Sequence, residues 1–315
     1  MSDCSSTLEK IRHLEEFLNP IAQPDKKSAV AEFLISQAIS YMFHLELYNS
    51  KTDVKTVKHK VVWNGYMEKD KVSCGPNTGA DTNVYARDFD VLVEVTRRDE
   101  ANQWKLEFAS GLRHMEQYIT QTGKPREQIH LFLVVPKIHI DTYNSVRQKQ
   151  IEGQNILPLT FIDITRIAEV CNITIGLRHV DLSNLFDSLA RAIVKNEKLD
   201  IYEKIANEII DKWRKAFLQN DKLVFLGIKG YKVFREKGQD MMTASDILTE
   251  LNTLDDVKLY SAITEDAPRR DDVRNGMLTF GFAYESGFIG RDTILSVASE
   301  IDIEKRMSEI LENIK

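Results

Sequence analysis

Three acidic side chains stand at even intervals in this chain. Asp81, Glu94 and Glu107 are each thirteen residues apart, and His114 follows seven residues after the last. Donors of this kind suit a hard divalent cation. Mg²⁺ takes one or two carboxylates and completes its shell with water and substrate phosphate. Such an ion activates water and neutralises the charge that develops as a phosphodiester is cleaved. Glu94 carries the sharpest signal, because it lies inside the apolar run Val91-Leu92-Val93-Glu94-Val95. An ionised carboxylate there is costly unless it is paired or metal-bound. The main-chain carbonyl of Val95 offers a third oxygen.

The flanking elements must bring these groups together. Asp81 ends the stretch 74–83, whose Gly, Pro and Asn content marks a loop. Residues 88–96 alternate and then become a continuous β-branched run, the pattern of a strand buried on both faces at its centre. Residues 104–121 read as a helix. On it Glu107 and His114 are two turns apart, so both can face the sheet. Gly111 lies between them, and a mid-helix glycine costs about 1 kcal/mol relative to alanine. Close approach of the helix to the site would explain that cost. Residues 130–136 and 157–164 read as further strands. The order strand, helix, strand implies a right-handed crossover and a partly parallel sheet.

Upstream, 6–19 reads as a helix capped by Ser6 with Glu9, 27–48 as a buried helix and 55–66 as a strand. Glu32, on the second of these helices, is read as a structural side chain rather than a member of the site. Beyond about 175 the periodicity is helical at 181–195, 201–219, 243–252 (Thr243 as cap) and 292–313, with a hairpin at 278–288. The polar stretch near 195–200 suggests two domains, 1–197 and 198–315.

The 315 residues are 43% hydrophobic and 29% charged, as in a globular protein. No apolar run approaches the roughly 18 residues that a membrane span needs. Cys4, Cys74 and Cys171 are widely spaced, which suits a reducing compartment and argues against a zinc cluster. The N-terminus lacks a signal-peptide pattern, so a cytoplasmic location is expected. The formal net charge of −6 counts against a free-standing DNA binder, although a metal site concentrates carboxylates.

Asp81, Glu94, Val95, Glu107 and His114, together with GLRHMEQY (111–118), LFLVVPKIHIDTYN (131–144) and LPLT (157–160), resemble the PD-(D/E)XK nucleases. They are most similar to the AlwI-type branch of Type IIS restriction and nicking endonucleases. The resemblance covers roughly 30–175. It implies an α/β fold: a restriction-endonuclease-like core of mixed sheet flanked by helices. A helical C-terminal region follows, whose order of helix, helix and wing reads as a winged helix. The implied activity is Mg²⁺-dependent endonuclease cleavage of double-stranded DNA, Mn²⁺ substituting, with a 5′-phosphate left behind. Asp81, Glu94, Val95 and Glu107 would bind metal, with Glu107 alternatively orienting the attacking water. His114 would hydrogen-bond that water or the scissile phosphate. Thr96 stands where the usual motif lysine would be, so His114 is the candidate to replace it electrostatically. Gly79-Ala80-Asp81 departs from the usual Pro-Asp.

Candidate DNA contacts are Lys137 and His139, after a strand end, and Lys229, Lys232 and Arg235. The last three fall in 201–239, where nine Lys/Arg stand against five Asp/Glu with aromatics interleaved. The chain is short for an enzyme carrying its own recognition domain, so a homodimer or a second nuclease or recognition subunit is expected. Two further classes stay open: an inactive DNA-binding or scaffold subunit, and a partner-recruited nuclease acting on RNA or without specificity.

Overall fold

The computed structural model describes residues 28–68, 71–74, 79–97, 103–173 and 182–299. The helix read at 6–19 lies outside them. Two compact units divide the chain between Ile210 and Asp211. That point falls inside the helix Leu199–Asn220, beyond the 197/198 boundary drawn from composition.

The first unit opens with α1 (Ser28–Phe43), β1 (Leu47–Asn49), β2 (Lys60–Trp63), β3 (Gly65–Glu68) and β4 (Lys71–Cys74). Then follow β5 (Thr82–Tyr85), β6 (Asp90–Val95), a π-helical turn Gln103–Phe108 and α2 (Ala109–Thr122). The unit continues with β7 (Ile129–Val135), α3 (Ile140–Ile151), β8 (Asn155–Thr160), α4 (Phe161–Ile173) and α5 (Ser183–Lys195). Six strands make one mixed sheet in the order β1-β2-β5-β6-β7-β8, and β3 with β4 forms a separate hairpin. β6, β7 and β8 run parallel, while β2, β5 and β6 pair antiparallel. This is the mixed sheet flanked by helices that the sequence leads one to expect.

Both faces of the sheet are covered, which is why β6 and β7 read as almost unbroken apolar runs. Ser36 of α1 hydrogen-bonds Thr82 of β5, Oγ to Oγ1, at 2.5 Å. Phe33 packs on Trp63, ring centroids 5.0 Å apart. Phe186 of α5 packs edge-on against Phe132 at 4.8 Å. Thr82, Trp63 and Phe132 all point away from the face that carries Glu94, because side chains alternate along a strand. The Glu94 face is covered by α2, whose Gly111 lies against Glu94 and Leu131.

Several boundaries differ from the sequence expectation. The helix expected over 27–48 ends at Phe43, and β1 takes up 47–49. The strand expected over 157–164 stops at Thr160, where α4 begins. The reason is a reciprocal cap: Asp163 Oδ2 accepts the Thr160 N–H at 2.8 Å, and Thr160 Oγ1 accepts the Asp163 N–H at 3.1 Å. Thr-Phe-Ile-Asp is a capping box, and it overrides the β-like run. Helix α3 shows little amphipathy in the sequence, because it buries only Thr142, Tyr143 and Val146 and leaves the apolar Ile140 and Ile151 exposed.

The second unit holds the end of α6 (Leu199–Asn220), then α7 (Lys222–Lys237), β9 (Met241–Thr243) and α8 (Ala244–Leu251). It closes with α9 (Asp255–Thr264), α10 (Arg270–Thr279), β10 (Ala283–Ile289) and β11 (Asp292–Val297). Thr243 caps α8 as expected, its Oγ1 accepting the Asp246 N–H at 3.1 Å. The helix expected over 292–313 is contradicted at its start. Residues 292–297 form β11, paired with β10 and β9, and the segment from 300 onward lies outside the described residues. Helices α7 and α10 cross backbone to backbone: a Cβ on Gly276 would meet the Leu223 carbonyl at 2.4 Å, and one on Gly227 the Gly276 carbonyl at 2.7 Å.

Candidate active site

Asp81 and Glu94 meet through the pairing of β5 with β6. Thr82 faces Val93 and Asn83 faces Leu92, so continuing the ladder by one step sets Asp81 opposite Glu94. Asn64 extends this row, its N–H donating to the Asp81 main-chain carbonyl at 2.8 Å. The Val95 N–H donates to Asp81 Oδ2 at 2.7 Å. In a strand, a residue's N–H and C=O point to the same edge. The Val95 carbonyl therefore faces the Asp81 side, while Thr96, one residue on, donates to the Val134 carbonyl at 3.0 Å on the other side.

Glu94 is only 4% exposed. Its Oε1 lies 2.6 Å from Nδ1 of His114, which α2 presents from above the sheet. Gly111 lets the helix come this close, since a Cβ there would already stand 3.1 Å from Glu94 Cγ. Burial, then the charges of Glu107 and Glu32, push the Glu94 carboxyl up to about 8, with Arg113 opposing. Asp81 is held well above the usual carboxylate range, first by burial and then by Glu94 and Glu32. The Val95 N–H opposes this shift and Glu107 adds a smaller push. His114 is lowered, by burial and then by Arg113. Burial thus favours the uncharged form of both partners.

Glu107 sits in the π-helical turn that precedes α2, where a single continuous helix was expected. Such turns recur at functional sites because they re-aim side chains between regular turns. Two residues were undervalued in the sequence. Glu32, read as merely structural, is 6% exposed, and its charge acts on both Asp81 and Glu94. Arg113 brings a positive charge to the pair, its Nη2 lying 3.5 Å from His114 Nε2. The Arg-His dipeptide at 113–114 was the signal. The expectation that His114 itself replaces the lysine charge does not fit a ring whose Nδ1 is spent on Glu94 and whose proton affinity is reduced.

Among the described residues, no group of three or more His, Cys, Asp and Glu side chains is arranged to hold an ion. What the site offers is Asp81 and Glu94 with the Val95 carbonyl, and Mg²⁺ accepts such a sparse set because it keeps several waters. Buried carboxylates that raise one another's proton affinity are a donor set short of positive charge, so the residues fit a divalent cation.

The expected DNA contacts fare unevenly. Lys229 is buried and ion-paired with Asp256, so it is not presented to DNA. Lys232 is half-buried and Arg235 exposed on α7, and Lys137 is exposed beyond β7. His139 caps α3, its Nδ1 accepting the Asp141 N–H at 3.2 Å, a structural use of the ring.

Residues 7–167 match the AlwI restriction endonuclease family. Among solved structures, the chain is similar to the small subunit (R.BspD6I2) of the heterodimeric restriction endonuclease R.BspD6I. The two are 16% identical, the match covers 65% of this chain and 97% of that one, and the TM-score is 0.44. No curated protein matches the chain.

Proposed function

The chain belongs to the AlwI restriction endonuclease family, and from that premise we propose that it is a Mg²⁺-dependent endonuclease hydrolysing phosphodiester bonds of double-stranded DNA. The observation that carries the reading is the pair of buried carboxylates, Asp81 and Glu94, set opposite one another on β5 and β6 with the Val95 carbonyl beside them. A cation held by these three groups would neutralise the scissile phosphate and acidify a water.

The protein's own groups do the rest. The Val95 N–H fixes the Asp81 carboxylate before any ion arrives, which removes a degree of freedom from binding. His114 orients Glu94 through the 2.6 Å contact between its Nδ1 and Oε1. Glu107, on its separate turn, would orient the attacking water or bind a second ion. Arg113 stands near enough to Glu94 to offset negative charge in the site.

The test is nicking of supercoiled plasmid with and without Mg²⁺, comparing the natural protein with Glu94→Gln. Nicking that needs Mg²⁺, accepts Mn²⁺ and is lost in the variant is the expected result. Undiminished nicking by Glu94→Gln, or nicking in EDTA, would overturn the assignment.

A further inference from the structure

The face of the sheet that carries the carboxylates continues into a cleft of about 330 Å³ between the strands and α2. Asp81, Asn83 and Tyr85 alternate onto one face of β5, and Asn83 and Tyr85 line the cleft. Asn64 lines it from just beyond β2, next to Asp81 in the row described above. Across from them, Gln117, Tyr118 and Gln121 follow His114 at helical spacing and form the opposite wall. His114 lines the cleft, so the Glu94–His114 pair adjoins it.

The chemistry of this lining differs from that of the metal site. None of the lining residues is an acid, a lysine or an arginine, so the cleft is not built to anchor phosphate. Four side-chain amides offer donors and acceptors together, the complement of nucleobase edges rather than of an ion. Two tyrosine rings offer aromatic surface against which a base can stack. The volume, at the small end of ligand sites, suits one nucleotide and not a duplex. The two rings meet, their centroids 6.4 Å apart, and form one aromatic surface that is set in advance. Tyr118 donates its hydroxyl to Asp90 Oδ2 at 2.8 Å, and Asp90 is also ion-paired with Lys124. The Lys60 ammonium lies 5.1 Å from the Tyr85 ring centre, and it is tied to the Val54 and Val57 carbonyls.

We propose that this cleft takes one unstacked nucleotide of the strand being cut, its base lying against the tyrosine rings and the amide side chains while its phosphate lies at Asp81 and Glu94. The inference rests on the nuclease reading and adds to it a substrate subsite. A nucleotide that must leave the stack leaves most easily where the strand is already unpaired. The protein should therefore prefer strands that are open beside the cut and should sense the base at that position.

The experiment measures binding of a fluorescent single-stranded hexanucleotide and of the same hexamer with every base removed, in metal-free buffer. The full-length protein is compared with Asn83→Ala/Gln121→Ala. The natural protein should hold the base-bearing strand at least tenfold more tightly than the abasic one. The variant should lose that difference while binding the abasic strand as before. Equal binding of both strands by the natural protein, or a difference that survives in the variant, overturns the proposal. Gln121 is exposed, so Gln121→Ala alone serves if the double variant melts early. No cleavage is involved, so a failure of the nuclease reading would show in the plasmid assay and leave this measurement intact.

Discussion

Glu94 is where two demands on one residue collide. Its strand position buries it for the sake of the sheet, while the proposed metal binding needs it ionised. Without metal, burial and the neighbouring acids keep its proton on up to about 8, whereas in the unfolded chain it ionises near the usual glutamate value of about 4.3. A carboxyl whose folded pKa is raised contributes stability that is fully present below the unfolded value and lost as pH rises through the folded one. Asp81 is shifted in the same direction, so it adds to the slope. His114, which is lowered, works oppositely: its contribution is lost as pH falls. The metal-free protein should therefore lose melting temperature steadily from about pH 5 to pH 8. Glu94→Gln, which keeps a partner for His114 and cannot ionise, should be the more stable protein at pH 8 and lose far less across that range. Melting curves in EDTA at several pH values check this, and identical slopes for the two proteins would refute it.

At the scale of the element, α2 is placed by one glycine. Alanine at 111 would gain about 1 kcal/mol of helix propensity. The added methyl would, however, meet Glu94 Cγ at 3.1 Å and Leu131 Cδ2 at 3.2 Å. The helix and Glu94 must then shift by a few tenths of an ångström, and His114 rides on the same helix. Small displacements of catalytic groups cost far more in rate than in stability. Gly111→Ala should keep its melting temperature within a few degrees of the natural protein and yet lose at least tenfold in nicking rate. A variant with full activity would mean that the close approach of α2 does not matter to the site.

For the molecule as a whole, charge would decide how the proposed DNA substrate is held. The chain carries −6 overall, and Lys229, one of the few expected cationic contacts, is already spent inside the second unit on Asp256. Each phosphate contact made by Lys or Arg steepens the salt dependence by about 0.9 in the log–log slope, and few contacts mean weak binding. The isolated chain should bind duplex DNA weakly, losing most of its affinity between 50 and 200 mM salt, with specificity completed by a second copy or a different subunit. Titrations at two salt concentrations, with the mass measured in solution, test this. A monomer holding one sequence at nanomolar affinity in physiological salt would be the contrary result.

The convergence of Asp81 with Glu94, and of His114 on Glu94, was legible from the residues alone. An acid inside Val91–Val95 marks both a buried strand and a site, and the even spacing of Asp81, Glu94 and Glu107 put them on three successive elements. The β6–α2–β7 arrangement follows from hydrophobic period and the crossover rule. What one dimension could not hold was anything set by distance between remote segments. Glu32 looked like an ordinary helical acid, because only the packing of α1 on the sheet buries it beside Asp81 and Glu94. His114 could be placed on the correct face of a helix, but only the tertiary contact showed its Nδ1 already committed to Glu94. Lys229 read as a DNA contact because its burial depends on Asp256, twenty-seven residues away on another helix. The end of β8 was written in the sequence as Thr160 and Asp163, yet a capping box four residues long is outweighed by an apolar run until the structure shows which of the two the backbone obeys.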